Sequence, residues 1–368
     1  MHLRLIALIP TLSVLIGAAA LAPAARGQDA DSPLVRTTPI VVPEAYVSDD
    51  SAGDELDSLA TWRLRNGDTW LIATAKSTHR LVVFDADTGK RLREVGGKGE
   101  GPGQFKRPNG IAVYGDRLFV AERDNRRVQV FALPEFRPLG SFGTEVLKSP
   151  YGLWLNPRTR SGSDIEVYIT DNFMEGPRYE QVPPLEKLNE RVRRYRLRFA
   201  ADGTFTATPL GSFGETDEAQ ALRIVESIAG DARRRTLLIA DEDTRNESTL
   251  REYGLDGRAS GRSVPRASFD AEAEGVALWS CPRQRGYWIA VDQLPTLTVF
   301  HLFNRSNLSA RGSFTGQVAG GTDGIALRTA PTRRFPSGAL FAVHRDKAVV
   351  AFDLRDIVSA LRLSPACL

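Results

Sequence analysis

The sequence predicts an all-β chain, a six-bladed β-propeller whose last blade is closed by an N-terminal strand. Three observations carry this. The stretch Gly96–Phe131 reads as turn, strand (Gly110-Ile-Ala-Val-Tyr114), tight Gly115-Asp116 turn, strand (Arg117–Ala121), polar corner and strand (Val128-Gln-Val-Phe131), a short antiparallel unit too small to bury its own faces. Its central strand, Leu118-Phe-Val-Ala121, recurs as Trp70-Leu-Ile-Ala73, Val167-Tyr-Ile-Thr170, Leu237-Leu-Ile-Ala240, Tyr287-Trp-Ile-Ala290 and Leu340-Phe-Ala-Val343. That spacing, roughly 50 residues with one wider gap, is the period of propeller blades. The sixth copy runs out of chain after Val349–Leu354, while Ile40-Val-Val42 through Val47 is a strand with no other place in the pattern. It is therefore expected to supply the missing strand and close the ring.

Taken in order, residues Met1–Gly27 read as an export leader: Arg4, an apolar run over Leu5–Leu21 broken by Pro10 and Gly17, and small residues before the expected cut. A linker over 28–37 follows, then the propeller over 38–361 and a tail over 362–368. No later run approaches the ~18 apolar residues of a membrane span. A soluble, monomeric mature chain is expected, secreted or periplasmic and free of the membrane once the leader is removed. The first strands of the six repeats begin at Leu59, Gly110, Gly152, Ile228, Gly275 and Gly324. Residues Asn172–Glu190, with Pro177, Pro183 and Pro184, interrupt the third repeat as an insertion of the length that often forms a lid.

Composition narrows the chemistry. Net charge is +3 with acids and bases interspersed, and the one dense basic run, Arg191–Arg198, alternates like a strand with a solvated face, so no nucleic-acid partner is expected. The two cysteines, Cys281 and Cys367, cannot make a thiolate zinc site, and in an oxidising compartment they are candidates for a disulfide tying the tail to blade five. The glycine run Gly97–Gly103 lacks the Lys-Ser/Thr ending of a phosphate loop and precedes a strand, so it reads as a turn between blades. The four histidines have no metalloprotease spacing, and no Gly-x-Ser-x-Gly elbow occurs.

In a propeller, the loop leading into each first strand and the loop leaving each second strand open on the same face. The first set presents Asp57, Asn109, Tyr151, Glu226, Glu274 and Asp323. The second presents Lys76, Glu122-Arg123, Asp171-Asn172, Asp241-Glu242-Asp243, Asp292-Gln293 and His344-Arg345-Asp346. Blades four, five, six and one, contiguous in a closed circle, each place a carboxylate in the first set. Converging carboxylates repel and raise one another's pKa unless a cation neutralises them. Oxygen donors without thiols or paired histidines suit several Ca²⁺ ions. Lys76 and Arg123 alongside suit a phosphate. The competing role for each acid singly is to cap the turn it precedes.

These residues resemble those of the β-propeller phytases, the alkaline, calcium-dependent 3-phytase-like family, over about Asp54 to Ile357. The resemblance rests on Asp54-Glu-Leu-Asp57-Ser58, on Val225-Glu226-Ser227 with Ile239-Ala-Asp241-Glu242, on Ala273-Glu274-Gly275 with Gln293, and on Thr322-Asp323-Gly-Ile325 with Pro336-Ser-Gly-Ala-Leu-Phe341. Gly101-Pro-Gly-Gln-Phe and Pro108-Asn-Gly-Ile-Ala-Val113 are similar to an NHL-type blade. The resemblance implies Asp54, Asp57, Glu226, Glu242, Glu274 and Asp323 as calcium ligands. It also implies Lys76, Arg123, Glu226 and Glu274 as the catalytic group, and phytate, myo-inositol hexakisphosphate, as the phosphomonoester hydrolysed. The chain departs from the family in carrying Asp171-Asn172 where a phosphate-binding Lys is expected, His344-Arg345-Asp346 in place of Gln-Asp-Gly, and Ser58 for an acid. A non-catalytic binding propeller and a metal-dependent lactonase with Glu and Asn ligands are the alternatives.

Overall fold

The computed structural model describes residues 38–50 and 53–368. The leader over 1–27 and the linker over 28–37 lie outside the described residues. The strands form six sheets, each the antiparallel meander the repeats predict. Blade one is Leu56–Arg63, Thr69–Ala75, Arg80–Asp85 and Arg91–Val95, and blade two is Pro108–Tyr114, Arg117–Glu122, Arg127–Ala132 and Arg137–Phe142. Blade three is Pro150–Pro157, Asp164–Asp171, Val192–Phe199 and Phe205–Phe213, and blade four is Val225–Asp231, Thr236–Asp241, Thr249–Gly254 and Ala259–Ser263. Blade five is Ala273–Ser280, Gly286–Asp292, Val299–Asn304 and Ala310–Thr315, and blade six is Ile325–Arg328, Ala339–His344 and Ala348–Asp353. Each first strand packs on the first strand of the next blade, and that of blade six packs on that of blade one, which closes the circle.

The N-terminal segment divides its work. Tyr46–Val47 pairs antiparallel with Ala348–Asp353 and supplies the fourth strand of blade six, as the pattern predicts. Ile40–Val41 instead pairs parallel with Ala310–Thr315 and gives blade five a fifth strand. Pro43 cannot donate to a ladder, and the chain changes blades there. Glu44 secures the crossing by accepting from the backbone N–H groups of Gln317, Val318 and Ala319. The sequence also leaves one element unread: helix α1, Leu354–Ala360, capped by Asp353 and burying Leu354, Ile357 and Val358.

Cohesion resides between blades. Six apolar clusters lie one at each interface, for example Phe84, Leu71 and Val82 with Phe341, Val343 and Val349 between blades one and six. Second strands are buried on both faces because each blade is covered by two neighbours, so they read as continuous apolar runs rather than alternating ones. Gly286–Asp292 is buried at every position. The cluster between blades five and six also takes in α1 and the tail. There Cys281 and Cys367 form a disulfide with Cα atoms 4.7 Å apart.

Candidate functional site

A single local device aims the site residues. In blades one to five the register between first and second strands shifts across the site residue and its successor, at Leu56/Leu59, Pro108/Ile111, Pro150/Leu153, Val225/Ile228 and Ala273/Val276. A bulge of this kind breaks the two-residue alternation and re-aims the side chain. The successor is Gly or Ser because the blades converge here. A Cβ on Gly110, Gly152 or Gly324 would lie 2.2–2.4 Å from the carbonyl oxygen of Tyr151, Glu226 or Asp57 in the neighbouring blade. Backbone N–H groups tie the same residues across blades, Gly275 to Asp323 O and Gly324 to Asp57 O, both at 3.0 Å.

The result is one small cavity at the centre, about 20 Å³, lined by Asp57, Asn109, Tyr151, Glu226, Glu274 and Asp323, one residue from every blade. That volume admits about one water or ion. The residue just past each second strand forms a second tier, fixed by one repeated hydrogen bond to the loop leading into the first strand: Lys76 N to Glu55 O, Arg123 N to Arg107 O, Asn172 N to Ser149 O, Glu242 N to Ile224 O, Gln293 N to Glu272 O and Arg345 N to Gly320 O.

Carboxylates dominate one arc. Oxygens of Glu226, Glu242 and Glu274 lie within 4.8 Å of one another, which matches the span between ligands on opposite sides of one Ca²⁺, about 5 Å. Glu242 is 6% exposed, and its Oε1 has no hydrogen-bond partner; the buried Oδ1 of Asn109 has none either. Burial, followed by the Glu226 and Glu274 charges, pushes Glu242 well above the usual carboxylate range. Burial and then Glu226 do the same to Glu274. Glu226 is raised to about 8 by burial and Asp57, and Asp323 to about 7 by the same two causes. A cation would displace protons from such a group, and buried carboxylate oxygens this close together, one of them unpartnered, suit a hard divalent metal. Among the described residues, Glu226, Glu242 and Glu274 are the group placed to hold one.

The remaining expected residues fall in three places. Lys76 enters the acidic arc, its Nζ 3.0 Å from Asp323 Oδ2 and 3.4 Å from Asp57 Oδ2. Burial pulls the Lys76 pKa down, but Asp57 and Asp323 outweigh it, and the ammonium is held charged. Asn109 Nδ2 donates to Asp57 at 2.9 Å, and Gln293 Nε2 donates to Asp323. Arg123 does not join Lys76. It pairs with Asp124 at 2.7 Å and stands against the Tyr151 phenol, lining a larger groove. Asp54 is a correction to the expected ligand set. It is 1% exposed and lies outside the central cavity, bound by Arg80 at 2.8 Å and Arg91 at 3.0 Å.

Capping explains most of the other acids. Asp171 accepts from the N–H groups of Lys148 and Ser149, Asp241 from Arg223 and Ile224, and Asp292 from Asp270 and Ala271. Glu122 accepts from Lys106 N, Asn125, Arg127 and Gln129, which fixes the glycine-rich turn between blades one and two. These acids hold the loops that carry the site.

Sequence reasoning does not find the groove beside Arg123. It holds about 990 Å³ between blades two and three and is walled on one side by the 172–190 insertion. Tyr151 lines both the groove and the central cavity.

No protein-family model matches this chain, and no curated protein matches it. Solved structures do. The chain is similar to hydrazine synthase of Kuenenia stuttgartiensis, at 14% identity and TM-score 0.50 over 86% of this chain and 82% of that one. It is also similar to a chain of a nidogen/laminin complex, at 14% identity and TM-score 0.49 over 76% of this chain and 87% of that one. At 14% identity the likeness to the first of these is one of fold alone; the six-bladed β-propeller itself is read from the six sheets.

Proposed function

We propose that the protein is an exported, calcium-dependent phosphomonoesterase of phytase type, acting on phytate or a closely similar polyphosphorylated small molecule. The observation that supports this most is the close approach of Glu226, Glu242 and Glu274, with a buried Glu242 oxygen unpartnered, beside a groove lined by cations. When bound, Ca²⁺ would shield phosphate charge and lower the pKa of a water. The chain's own residues do the rest. Tyr151, between Arg123 and Glu226, marks the boundary where a phosphate oxygen passes from guanidinium to carboxylate territory. Gln293 and Lys76 hold Asp323 oriented, and Asn109 holds Asp57, so the arc is preorganised. Release of phosphate from phytate, measured with calcium and with chelator across pH 5–9, tests the proposal; release that is absent, or indifferent to chelator, overturns it.

Lys76 favours a second reading, a binding platform without catalysis. Its ammonium already neutralises Asp57 and Asp323, the position a further cation would occupy. On this reading calcium raises the melting temperature with no phosphate release, and Lys76→Met adds a bound calcium per chain by calorimetry.

A further inference from the structure

The bulges that aim the site residues interrupt the strand ladder, and in blade three the interruption is mended by a side chain that also reaches Glu226. Across each bulge two residues of the first strand stand opposite one residue of the second. In blade one that residue is Thr74, opposite Asp57 and Ser58, and in blade three it is Thr170, opposite Tyr151 and Gly152. Both threonines are fully buried. Thr74 Oγ1 accepts from Ser58 N at 3.0 Å and donates to Asn109 O at 2.6 Å. Thr170 Oγ1 accepts from Gly152 N at 2.8 Å and donates to Glu226 O at 2.6 Å. In each case this is the shorter of the two carbonyl contacts open to the hydroxyl. The hydroxyl thus links an N–H of the bulge in one blade to the carbonyl of the site residue in the next. In blades two, four and five the matching residues are Ala121, Ala240 and Val291, which have no such group.

Asn172, two residues further along blade three, grips the same glutamate elsewhere. It is buried, and its own N–H donates to Ser149 O at 2.8 Å. Its Oδ1 accepts from Val225 N at 3.2 Å, and its Nδ2 donates to Glu226 Oε1 at 3.4 Å. A peptide N–H only donates and a carboxylate only accepts, so the amide fits between them in one orientation. Leucine at this position would offer neither group, and aspartate would set a further negative charge against Glu226. Blade three therefore holds Glu226 at three points: its carbonyl, the N–H before it and its carboxylate.

We propose that Thr170 and Asn172 are positioning residues for the carboxylate cluster: blade three, which gives no acid to Glu226, Glu242 and Glu274, sets where the Glu226 oxygen points. Both act through Glu226 and neither is a ligand. The positioning is a property of the chain alone, while its consequence for calcium rests on the calcium reading of the cluster given above. A glutamate tied at its peptide and at its carboxylate has little rotamer freedom left to lose when an ion arrives, so removing a tie lowers affinity without removing a ligand.

Crystal structures of the full chain in chelator and calorimetric titration with calcium test the two parts separately. Thr170→Val, which keeps the shape and loses the hydroxyl, and Asn172→Leu are each expected to weaken calcium binding about tenfold. In chelator each is expected to carry the Glu226 oxygen out of the 4.8 Å group it forms with Glu242 and Glu274. Thr170→Ser, which keeps the hydroxyl, should restore the parent affinity, a rescue that a purely structural loss would not show. Thr74→Val removes the matching hydroxyl in blade one, where it serves Asn109, and is expected to lower the melting temperature as Thr170→Val does while leaving calcium affinity within about twofold. Circular dichroism and melting temperature check each variant for folding, and Thr170→Val carries the test by itself should Asn172→Leu fail to fold. Parent affinity in the blade-three variants, a Glu226 carboxylate left in place in their structures, or a loss in Thr74→Val as large as in Thr170→Val overturns the proposal. A parent that binds no calcium overturns the calcium reading alone, and the position of Glu226 in the chelator structures then decides the positioning.

Discussion

Blades four, five, six and one and blades two and three use the same small successor residue and the same loop hydrogen bond, and all but blade six the same bulged strand, yet the two arcs carry opposite charge. In the first arc the two tiers carry Glu226, Glu242, Glu274, Gln293, Asp323, Arg345, Asp57 and Lys76. In the second they carry Asn109, Arg123, Tyr151 and Asn172. Backbone geometry is thus common property, and two side chains per blade set the local field. The contrast places a carboxylate-lined pocket and a groove carrying Arg123 on either side of one phenol, Tyr151. A phosphate ester held by a divalent cation needs both.

The strongest way to break this contrast is to remove charge from the acidic arc. On the proposed reading, Glu274→Gln should lower calcium-dependent phosphate release by about a hundredfold or more, since it takes away one of the three clustered carboxylates. Steady-state release from phytate is the measurement, and an unchanged rate would detach the arc from catalysis. Next in size is stability. Calcium at about a hundred times its Kd should raise the melting temperature by about 5 °C, because the folded chain alone gathers the three glutamates. Glu242→Gln should abolish the rise; a rise that survives places the ion elsewhere.

Asp54→Asn sharpens the comparison from outside the arc. It should cost about 2 kcal/mol in denaturant unfolding by leaving Arg80 and Arg91 without their buried partner, with the calcium-induced shift intact. A variant that loses the calcium shift would return Asp54 to the ligand set. The smallest effect is a slope. Glu226 has a folded-state value of about 8 against an ordinary 4.5, so between these limits the folded chain keeps a proton that the unfolded chain has released. In chelator, stability should therefore fall as pH rises from about 5 to about 8, and calcium should remove the fall by replacing the protons. A melting temperature in chelator that is flat or rising over that range would show that the arc is not proton-loaded.

The central ring was legible because the repeat supplies the alignment: Asp57, Asn109, Tyr151, Glu226, Glu274 and Asp323 precede equivalent strands and converge on one cavity. The second tier was only half legible. Asp241-Glu242-Asp243 offers three acids, and the choice of Glu242 depends on its N–H reaching Ile224 O, a contact no local pattern announces. Asp54 was misplaced for a related reason. A motif fixes sequence spacing, but Arg80 and Arg91, which claim this acid, arrive from other strands of the blade. The pairing of Lys76 with Asp323, 247 residues apart, and the groove wall from the insertion are tertiary facts of the same kind. A signal for the groove was available in Arg178 and Lys187, set among the prolines of an insertion too long for a simple turn.

The seam of the circle runs through the pocket itself. Asp57 belongs to the first blade and Asp323 to the last, Lys76 bridges them, and the strap at Tyr46–Val47 and the Cys281–Cys367 link hold the two chain ends nearby. A nascent or clipped polypeptide lacking blade six would keep Glu226, Glu242 and Glu274 but lose Asp323, the carboxylate nearest the Lys76 ammonium. Seating of the Lys76 ammonium is therefore the mark of a finished circle, and an unclosed chain would differ from the complete one at this seam rather than among the three glutamates.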